Sequence, residues 1–264
     1  MTEAVTYTLL NPTGNMTLLA ETPVPEASQA LIARKLMALE PETEQVGFVC
    51  FDSDGAALRM AGGEFCGNAS MSTAVLFAAR KALDRAAVSV TVSGTPEPVA
   101  VTVEKTGNCW HGEVTMPRPI SVKTERFPDG SEHPVVRLPG ITHVILEKEM
   151  GQAEAEQLAP VWCRLLRADG LGLMFLDRER GALKPLVYVP ETGTLFWESS
   201  CASGTTAVGA WLAKESGQAV SLSLEQPGGT LNIAAEPEGK LILSGTVEIL
   251  RRCSAALTDR EAQN

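Results

Sequence analysis

Two segments of the chain are apolar on every side of the helices that they predict. In residues 66–86, CGNASMSTAVLFAARKALDRA, and in residues 201–216, CASGTTAVGAWLAKES, small and apolar residues fill the first three turns and leave no charged face. A helix of this kind in a globular protein has to be enclosed on all sides. We therefore expect each helix to lie at the centre of its own part of the fold.

Three alternating segments follow each of these helices. Apolar and polar residues alternate in VSVTVSG, VAVTVEK and HGEVTMPRP after the first helix, and in VSLSLEQPGG, TLNIAAE and LILSGTVEIL after the second. This period of two residues is typical of half-buried strands separated by turns. The two helices start at Cys66 and Cys201, which are 201 − 66 = 135 positions apart, about half of the chain. The repeated order of elements predicts a duplication.

The patterns together predict an α+β protein with two pseudo-symmetric domains, each a curved, mostly antiparallel sheet wrapped around a central apolar helix. The expected halves are residues 1–124 and 125–264, with chain ends that can cross over. The turn-rich segment 124–134, TERFPDGSEHP, is expected to connect them. A length of 264 residues suffices for one large domain or two of ordinary size.

Charge and composition argue against several classes of function. The net charge is −10 and no basic patch is visible, which excludes nucleic acid as a partner. No apolar run reaches the length needed to span a membrane. The N-terminal segment MTEAVTYTLLNPTGN lacks the basic start and apolar stretch of a signal peptide. We expect a soluble cytoplasmic protein with no nucleic-acid or membrane partner.

Six cysteines are spread along the chain without a metal-binding pattern. No two of them form a CxxC pair and no histidines cluster near them, so the sequence predicts no metal site. A disulfide framework is not expected in a chain of this size without an export signal. Four of the cysteines are expected to act only as small packing residues: Cys50, Cys109, Cys163 and Cys253.

The remaining two, Cys66 and Cys201, stand at the predicted helix starts. A helix N-terminus carries unpaired N–H groups and partial positive charge, so it binds anions and lowers the pKa of a thiol. A single cysteine before a helix is more often a packing residue, but two at duplicated positions favour a functional role. The amides that would bind a carboxylate are those of Gly67, Asn68, Ala202 and Ser203.

Two thiols facing one small acid suit the inversion of a carbon stereocentre. That reaction needs a base on one face of the carbon and an acid on the other, and two cysteines can exchange those roles. An unperturbed thiol needs about 2 kcal/mol to ionise at pH 7, and a helix dipole supplies up to ~2 kcal/mol. No metal or cofactor is therefore required for ionisation.

The helix starts CGN and CASGT, together with the early turn PTGNM, resemble the cofactor-independent racemases typified by diaminopimelate epimerase. The resemblance follows the whole chain in order. It implies two pseudo-symmetric domains with paired cysteines in the cleft between them, and a two-base racemase that uses no pyridoxal phosphate. A homodimer is a further expectation at the level of the family.

Diaminopimelate epimerase itself fits the sequence less well. Ile141 in GITH and Gly172 in LGL stand where that enzyme has asparagines, and Glu198 is followed by Ser199 where it has a Glu-Arg pair. The missing groups would hold the distal amino-carboxylate end of diaminopimelate. An unpaired charge in a closed site would cost several kcal/mol. The substrate is therefore expected to lack that distal group.

The segments NPTGNMTLL, EQVGF, GGEFCGNASMS, PLVYVPE, FWESSCASGT and QPGG are similar to histidine racemases of staphylopine-type opine metallophore biosynthesis. The resemblance implies an isomerase that converts L-histidine to D-histidine, with Cys66 and Cys201 exchanging the α-proton. It places Asn15 beside the substrate and Glu44 against the imidazole, since a carboxylate suits an imidazole N–H. The α-carboxylate would meet the four amides named above. One departure is Ala202, where a glycine usually follows the second cysteine.

Other interpretations remain open from the sequence. The chain could be a diaminopimelate epimerase, a non-catalytic amino-acid-binding module of the same fold, or a redox protein with a reversible disulfide between its two helix-start cysteines. Asn15 could serve only a turn, and Glu44 could be an ordinary surface charge. Glu64 and Glu198 could simply favour the positive ends of their helices.

Overall fold

The structure, a computed structural model, describes residues 3–148, 150–191, 193–237 and 239–257. Over these residues the fold is mixed α+β and dominated by one large sheet of sixteen strands with four helices. Most neighbouring strands are antiparallel, as predicted. No helix within the described ranges is long and apolar enough to cross a membrane.

The first part of the chain, residues 3–115, contains seven strands and two helices. They are β1 (Glu3–Pro12), β2 (Thr17–Ala20), α1 (Glu26–Leu39), β3 (Gln45–Phe51), β4 (Gly55–Met60), α2 (Gly67–Arg80), β5 (Arg85–Val92), β6 (Val99–Thr106) and β7 (Cys109–Thr115). Strand pairing runs β1–β2 antiparallel, β2–β3 parallel, β3–β4 antiparallel, β4–β5 parallel, then β5–β6 and β6–β7 antiparallel.

The second part, residues 121–257, contains nine strands and two helices within its described residues. They are β8 (Ser121–Arg126), β9 (Glu132–Leu138), β10 (Ile141–Leu146), α3 (Gln152–Leu166), β11 (Leu171–Asp177), β12 (Ala182–Val189), β13 (Thr194–Trp197), α4 (Ala202–Ser216), β14 (Val220–Gln226), β15 (Gly229–Ala235) and β16 (Leu241–Leu257). Pairing runs β9–β10 antiparallel, β10–β11 parallel, β11–β12 antiparallel, β12–β14 parallel, then β14–β15 and β15–β16 antiparallel.

The long strand β16 gives the sheet its barrel-like form. It pairs with β15 on one side and β7 on the other, and its second half continues alongside β1 from Val247 to Leu257. Strands β1 to β7 and β16 thus form a closed ring. Ring closure pairs every strand of this set on both sides, so none of the eight presents a free edge within the ring.

Helix α2 fills the inside of that ring. Residues 67–78 are all buried, and they pack against valine side chains that point inward from β5, β6 and β7. Gly112 on β7 lets strand and helix approach closely, because a Cβ there would lie 3.2 Å from the Met71 Cβ. The apolar sequence of this helix therefore reflects enclosure on every side, as predicted.

Helix α4 is enclosed in the same manner by the second part of the sheet. Gly209 allows it to pack closely on β15, because a Cβ there would lie 2.6 Å from Ile233 Cγ1. The helix ends at Ser216, as predicted, with Gly217 in the left-handed region at φ +67°. Helix α2 ends earlier than predicted, at Arg80, because the chain turns through Ala82 at φ +53° to begin β5.

The expectation that residues 124–134 form a connection between two halves is wrong. Strands β8 and β9 pair antiparallel from Ser121↔Arg137 to Arg126↔Glu132, so this segment is a β-hairpin. Phe127 in its turn is 3% exposed, and its ring centroid lies 4.1 Å from that of Trp162 on α3. The aromatic contact anchors Phe127 to the core, while residues 128–130 of the turn are exposed.

Candidate active site

The two cysteines predicted at helix starts are the N-cap residues of α2 and α4. Cys66 has an extended backbone at φ −133°, ψ 115°, and Cys201 has φ −123°, ψ 107°. Each Sγ accepts a hydrogen bond at 3.4 Å from the third amide of its helix, Ala69 N and Gly204 N. The sulfur atoms therefore take the place that a serine or aspartate oxygen occupies in an ordinary cap.

The N-termini of α2 and α4 meet each other. A Cβ built on Gly67 would lie only 3.0 Å from the Ala202 Cβ, and these are the first residues of the two helices. The Asn68 side-chain amide donates across the junction to the Ser200 carbonyl oxygen at 3.3 Å. The junction brings the residues that follow both cysteines into contact.

Four backbone amides at this junction have no acceptor within their own helices. Gly67 and Asn68 supply the first two N–H groups of α2, and Ala202 and Ser203 supply those of α4. Two helix N-termini also bring two partial positive charges together. The junction is therefore chemically suited to an anion such as a carboxylate.

Burial and nearby carboxylates act against ionisation of the thiols. Burial raises the pKa of Cys66 to about 12, and the negative charges of Glu64 and Glu198 add to this effect while the Ala69 amide opposes it. The pKa of Cys201 is raised by burial first and then by Glu198. The expectation of lowered thiol pKa values is wrong for this structure, because desolvation outweighs the helix-end amides.

Glu198 is the carboxylate that acts on both cysteines. Loss of solvation raises its pKa to about 7, a hydrogen bond with Cys201 works in the opposite direction, and the charges of Glu44 and Glu64 raise it further. The Glu198 residue is only half-buried, so the loss of solvation comes from the protein atoms that surround its carboxyl group. A carboxyl group with such a pKa is partly protonated at neutral pH and can give or take a proton.

Glu44, Asn15 and Ser199 form a second cluster beside the cysteine of α4. The fully buried Asn15 donates from Nδ2 to Glu44 Oε2 at 2.8 Å. Ser199 donates from Oγ to Glu44 Oε1 at 2.6 Å and from its backbone N to Oε2 at 3.4 Å. The structure thus brings two of the predicted site residues, Asn15 and Glu44, into direct contact. Ser199, which also bonds Glu44, lies two positions before Cys201 in the chain.

Two glycine turns hold this cluster in place. Gly14, at φ +85°, lies so close to the 227–228 turn that a Cβ on it would be 2.3 Å from the Gly228 Cα. Gly228 in turn donates from its N to the Ser199 carbonyl at 2.7 Å. The segment QPGG forms the β14–β15 hairpin turn, and it also supports the loop before Cys201.

Sequence reasoning missed Gln226, Ser199 and Ser200. Gln226 is 5% exposed; its Oε1 accepts from Cys201 N at 2.9 Å and its Nε2 donates to Thr205 Oγ1 at 2.8 Å. The sequence does contain a sign that Gln226 is buried, because the alternation of VSLSLEQ places its side chain on the same face as the apolar residues of β14. Ser199 and Ser200 carried no comparable pattern, since their partners lie far away in the sequence.

The surroundings of Gly172 explain one departure from diaminopimelate epimerase. A Cβ at this position would lie 2.2 Å from His143 Nδ1 and 2.7 Å from Met174 Cε. His143 is fully buried, neither ring nitrogen has a hydrogen-bond partner among the described residues, and burial lowers its pKa to about 3. No asparagine side chain fits at 172 in this arrangement, because the space is already filled.

The sulfur atoms are nearly closed off from solvent. Cys66 is 9% exposed and Cys201 is 4% exposed. Cavities of about 980 and 470 Å³ lie elsewhere and are not lined by either cysteine, although Gln226 forms part of the wall of the larger one. Within the described ranges, no three His, Cys, Asp or Glu side chains are arranged to hold a metal ion.

The other four cysteines take different environments. Cys163 is buried, as expected of a packing residue, and Cys109 and Cys253 are partly exposed. Cys50 is exposed, so the expectation that it packs in the core is wrong. It is the second-last residue of β3, where the run of buried residues 46–49 ends and the strand becomes exposed.

Comparison with known proteins gives one family and a consistent fold. The family model described as "Histidine racemase CntK N-terminal domain" matches residues 4–255. A histidine racemase from Fusobacterium nucleatum subsp. nucleatum (strain ATCC 23726) is 32% identical over 262 residues, covering 94% of this chain and 95% of that protein. A histidine racemase from Staphylococcus aureus (strain Mu50) is 30% identical over 248 residues, covering 89% of each. The structure of a predicted epimerase from Pseudomonas aeruginosa has a TM-score of 0.76 at 16% identity, covering 96% of this chain and 100% of that one, which shows a shared fold.

Proposed function

The chain belongs to the histidine racemase family, and we propose that it interconverts L-histidine and D-histidine with two thiols, Cys66 and Cys201, and no cofactor. The observation that carries the proposal is the junction of the two helix N-termini. Each helix is capped by one of the cysteines, and their first residues approach to 3.0 Å for a Cβ placed on Gly67. A substrate at this junction would lie between the two sulfurs.

The α-carboxylate of histidine would bind the amides at the junction that have no acceptor within their own helices. These amides belong to Gly67, Asn68, Ala202 and Ser203. With the carboxylate fixed there, one thiolate takes the α-proton from one face and the opposite thiol donates a proton to the other face. Reversal of the two roles returns the product to the L-isomer, so both thiols serve in each direction.

Ionisation of a thiol in this site requires help from the substrate. With a Cys66 pKa of about 12, forming the thiolate at pH 7 costs on the order of 7 kcal/mol at 1.36 kcal/mol per pKa unit. A substrate ammonium about 4 Å from the sulfur returns ~4 kcal/mol at an effective dielectric constant of 20. The free protein would therefore hold neutral thiols, and binding of the substrate cation would promote the reactive form.

Glu198 is suited to move the proton of Cys201. Its pKa of about 7 lets the carboxylate accept the thiol proton and return it within one catalytic cycle. Glu64, Glu198 and Glu44 also give the site a negative potential. This potential favours a substrate that carries a cationic ammonium group and an imidazole.

Glu44 would bind the imidazole ring of the substrate. Three donors already hold its carboxylate in place, one from Asn15 and two from Ser199. A carboxylate accepts about four hydrogen bonds, so one position remains for an imidazole N–H. An imidazolium would bind more tightly, because its hydrogen bond is assisted by charge on both partners.

We also propose that the fold consists of two pseudo-symmetric units divided near residue 124. The equal series of parallel and antiparallel pairings in the two parts of the chain supports this division. Residue 124 itself lies in β8, which pairs with β9, so the boundary belongs just before this hairpin. Strand β16 then crosses back to complete the first unit.

Three further proposals rest on the sequence resemblance. The protein would act in the cytoplasm, form a homodimer, and supply D-histidine for an opine metallophore. The dimer is tested by size-exclusion chromatography with light scattering, where a mass near 28 kDa would contradict it.

The function is tested by incubating purified protein with L-histidine, without pyridoxal phosphate or metal, and separating the enantiomers by chiral chromatography. D-Histidine should form until the two isomers are equal, and Cys66→Ser and Cys201→Ser should each abolish its formation. A parallel panel of L-amino acids and diaminopimelate defines the substrate. Turnover of diaminopimelate alone would make the protein an epimerase, and no turnover of any substrate would make it a binding module.

A further inference from the structure

We propose that Ser199 determines the specificity of the protein for histidine, by holding the Glu44 carboxylate in the orientation that accepts a hydrogen bond from the imidazole. This inference rests on the proposed function and extends it to a residue outside the set that the sequence indicated. Ser199 acts through Glu44 and makes no contact with the α-carbon in this proposal, so it is a positioning residue. Replacing Ser199 should therefore weaken the binding of the substrate's imidazole side chain.

Ser199 contacts Glu44 through two separate groups. The hydroxyl donates to Oε1 at 2.6 Å, and the backbone N–H donates to Oε2 at 3.4 Å. A carboxylate gripped at both oxygens cannot rotate about its terminal torsion without breaking one of these bonds. Asn15 adds a third donor at 2.8 Å on Oε2, which leaves Oε1 with only one partner and one open acceptor position.

Ser199 is itself rigidly held. Its carbonyl oxygen accepts from Gly228 N at 2.7 Å, and a Cβ on Gly228 would lie 3.0 Å from the Ser199 Cβ. Gly228 in turn packs against Gly14 in the turn that carries Asn15. The donors to Glu44 therefore come from two turns that support each other, and a preorganised acceptor loses little free energy on binding its ligand.

The neighbouring Ser200 has a different partner. It is fully buried, and its carbonyl oxygen accepts from Asn68 Nδ2 at the helix junction. The two serines before Cys201 thus connect to separate parts of the site: Ser199 to the carboxylate assigned to the side chain, and Ser200 to the helix ends assigned to the α-carboxylate. This separation predicts that replacement of Ser199 weakens recognition of the imidazole without disturbing the carboxylate site.

The test uses steady-state racemisation of L-histidine by the full-length protein, together with a double-mutant cycle. Ser199→Ala should raise KM for histidine about 10- to 100-fold, the range given by losing a hydrogen bond to a charged group, with kcat within about 3-fold of wild type. Ser199→Thr, which keeps the hydroxyl, should restore KM to within about 3-fold. In a Glu44→Gln background the same serine replacement should change KM by less than about 2-fold, because the oriented carboxylate is already gone.

The matched control is Ser223→Ala. Ser223 donates from Oγ to Asn232 Oδ1 at 2.7 Å on an exposed face of β14, so its loss should leave both kinetic constants unchanged. Thermal melting of every variant separates misfolding from lost recognition, and the Thr variant preserves the test if the Ala variant unfolds.

Each outcome decides the proposal. An inert wild type would overturn the proposed function and this inference with it. An active wild type with a KM unaffected by Ser199→Ala would overturn the inference alone. A fall in kcat at constant KM would also overturn it, because that pattern would show that Ser199 serves the placement of Cys201. If the fold-changes in KM of the Ser199 and Glu44 single variants multiply in the double variant, the two residues act independently and the inference is overturned.

Discussion

The junction of α2 and α4 can be tested by adding a single methyl group to it. In Gly67→Ala the new Cβ would lie 3.0 Å from the Ala202 Cβ and 3.0 Å from Met116 Sδ, whereas carbon atoms pack best at about 3.5–4.0 Å. The end of the methionine side chain can rotate away. The alanine methyl can retreat only if the N-terminus of α4 moves with it, by about 0.5–1 Å.

The cost follows from that displacement. Overpacking a well-packed site costs about 1–3 kcal/mol, and replacing glycine by alanine in a helix recovers up to ~1 kcal/mol. With overpacking at the middle of its range, about 2 kcal/mol, the net loss of stability is about 1–2 kcal/mol, which lowers the melting temperature by ~2–8 °C in a protein of this size. Because both cysteines cap these helices, the displacement should lower kcat for histidine racemisation by about 100-fold.

The control moves the methyl group from one helix to the other. In Gly67→Ala/Ala202→Gly the contact between the two methyl groups disappears, and only the contact with flexible Met116 remains. The double variant should therefore melt at a higher temperature than the sum of the single replacements predicts, and should recover at least about 10-fold in kcat. A Gly67→Ala protein that melts within 1 °C of wild type and retains full activity would refute the close approach of the two helices.

Three other predictions address the groups around the junction. Iodoacetamide at pH 7 should label the exposed Cys50 first and Cys66 and Cys201 much more slowly, because burial raises the pKa of both thiols. The labelling rates of Cys66 and Cys201 should rise with pH. Peptide mass spectrometry that finds Cys66 and Cys201 labelled before Cys50 would contradict the burial of the pair. His143, with its pKa lowered to about 3 from 6.5, takes up a proton only on unfolding, so stability should fall as the pH drops below 6.5. Wild type should therefore lose free energy of unfolding between pH 6.5 and pH 4.5, and His143→Leu should remove up to ~3 kcal/mol of that loss. The free energies of unfolding come from urea curves at the two pH values. A variant that loses as much stability as wild type between them would disprove the prediction. Gln226→Leu should lower the free energy of unfolding by about 2–4 kcal/mol, because the Cys201 backbone N–H loses its acceptor and the Thr205 hydroxyl, which still donates to the Cys201 carbonyl, loses a donor. Equal urea midpoints for this variant and wild type would show that the two Gln226 bonds contribute nothing.

The helices and strands that form the core follow closely from the sequence. Both central helices begin where predicted, because a cysteine N-cap followed by small and apolar residues is a local signal. The strands after each helix were also predicted, since the alternation of buried and exposed side chains is visible over seven or eight residues. Local periodicity is sufficient for these elements because each one buries a single, continuous set of side chains.

Features that depend on distant contacts were not predictable in the same way. Strand β16 extends seven residues past the predicted LILSGTVEIL because its second half pairs with β1, at the other end of the chain. The 124–134 segment has the turn residues of a linker, yet Phe127 finds an aromatic partner on α3 that the local sequence does not reveal. Tertiary contacts decided both outcomes.

The candidate site shows the same division. Cys66 and Cys201 stand out because they occupy duplicated positions, and Glu44 and Asn15 were suggested only by resemblance. Their mutual contact through Nδ2 and Oε2 depends on how two turns pack. The rise in thiol pKa could not be predicted either, because the helix-end effect is visible in the sequence, whereas the extent of burial is a property of the folded protein.

The most direct test of a reaction that uses two opposed thiols is the isotope content of the first product formed. Protiated L-histidine is incubated in deuterium oxide, and the reaction is stopped at a few per cent conversion. The two enantiomers are separated, and mass spectrometry measures the deuterium content of each. Two opposed thiols predict that nearly every D-histidine molecule carries deuterium at the α-carbon while the remaining L-histidine keeps its proton. D-Histidine that retains the original proton, or L-histidine that exchanges as fast as D-histidine appears, would show that one base serves both faces.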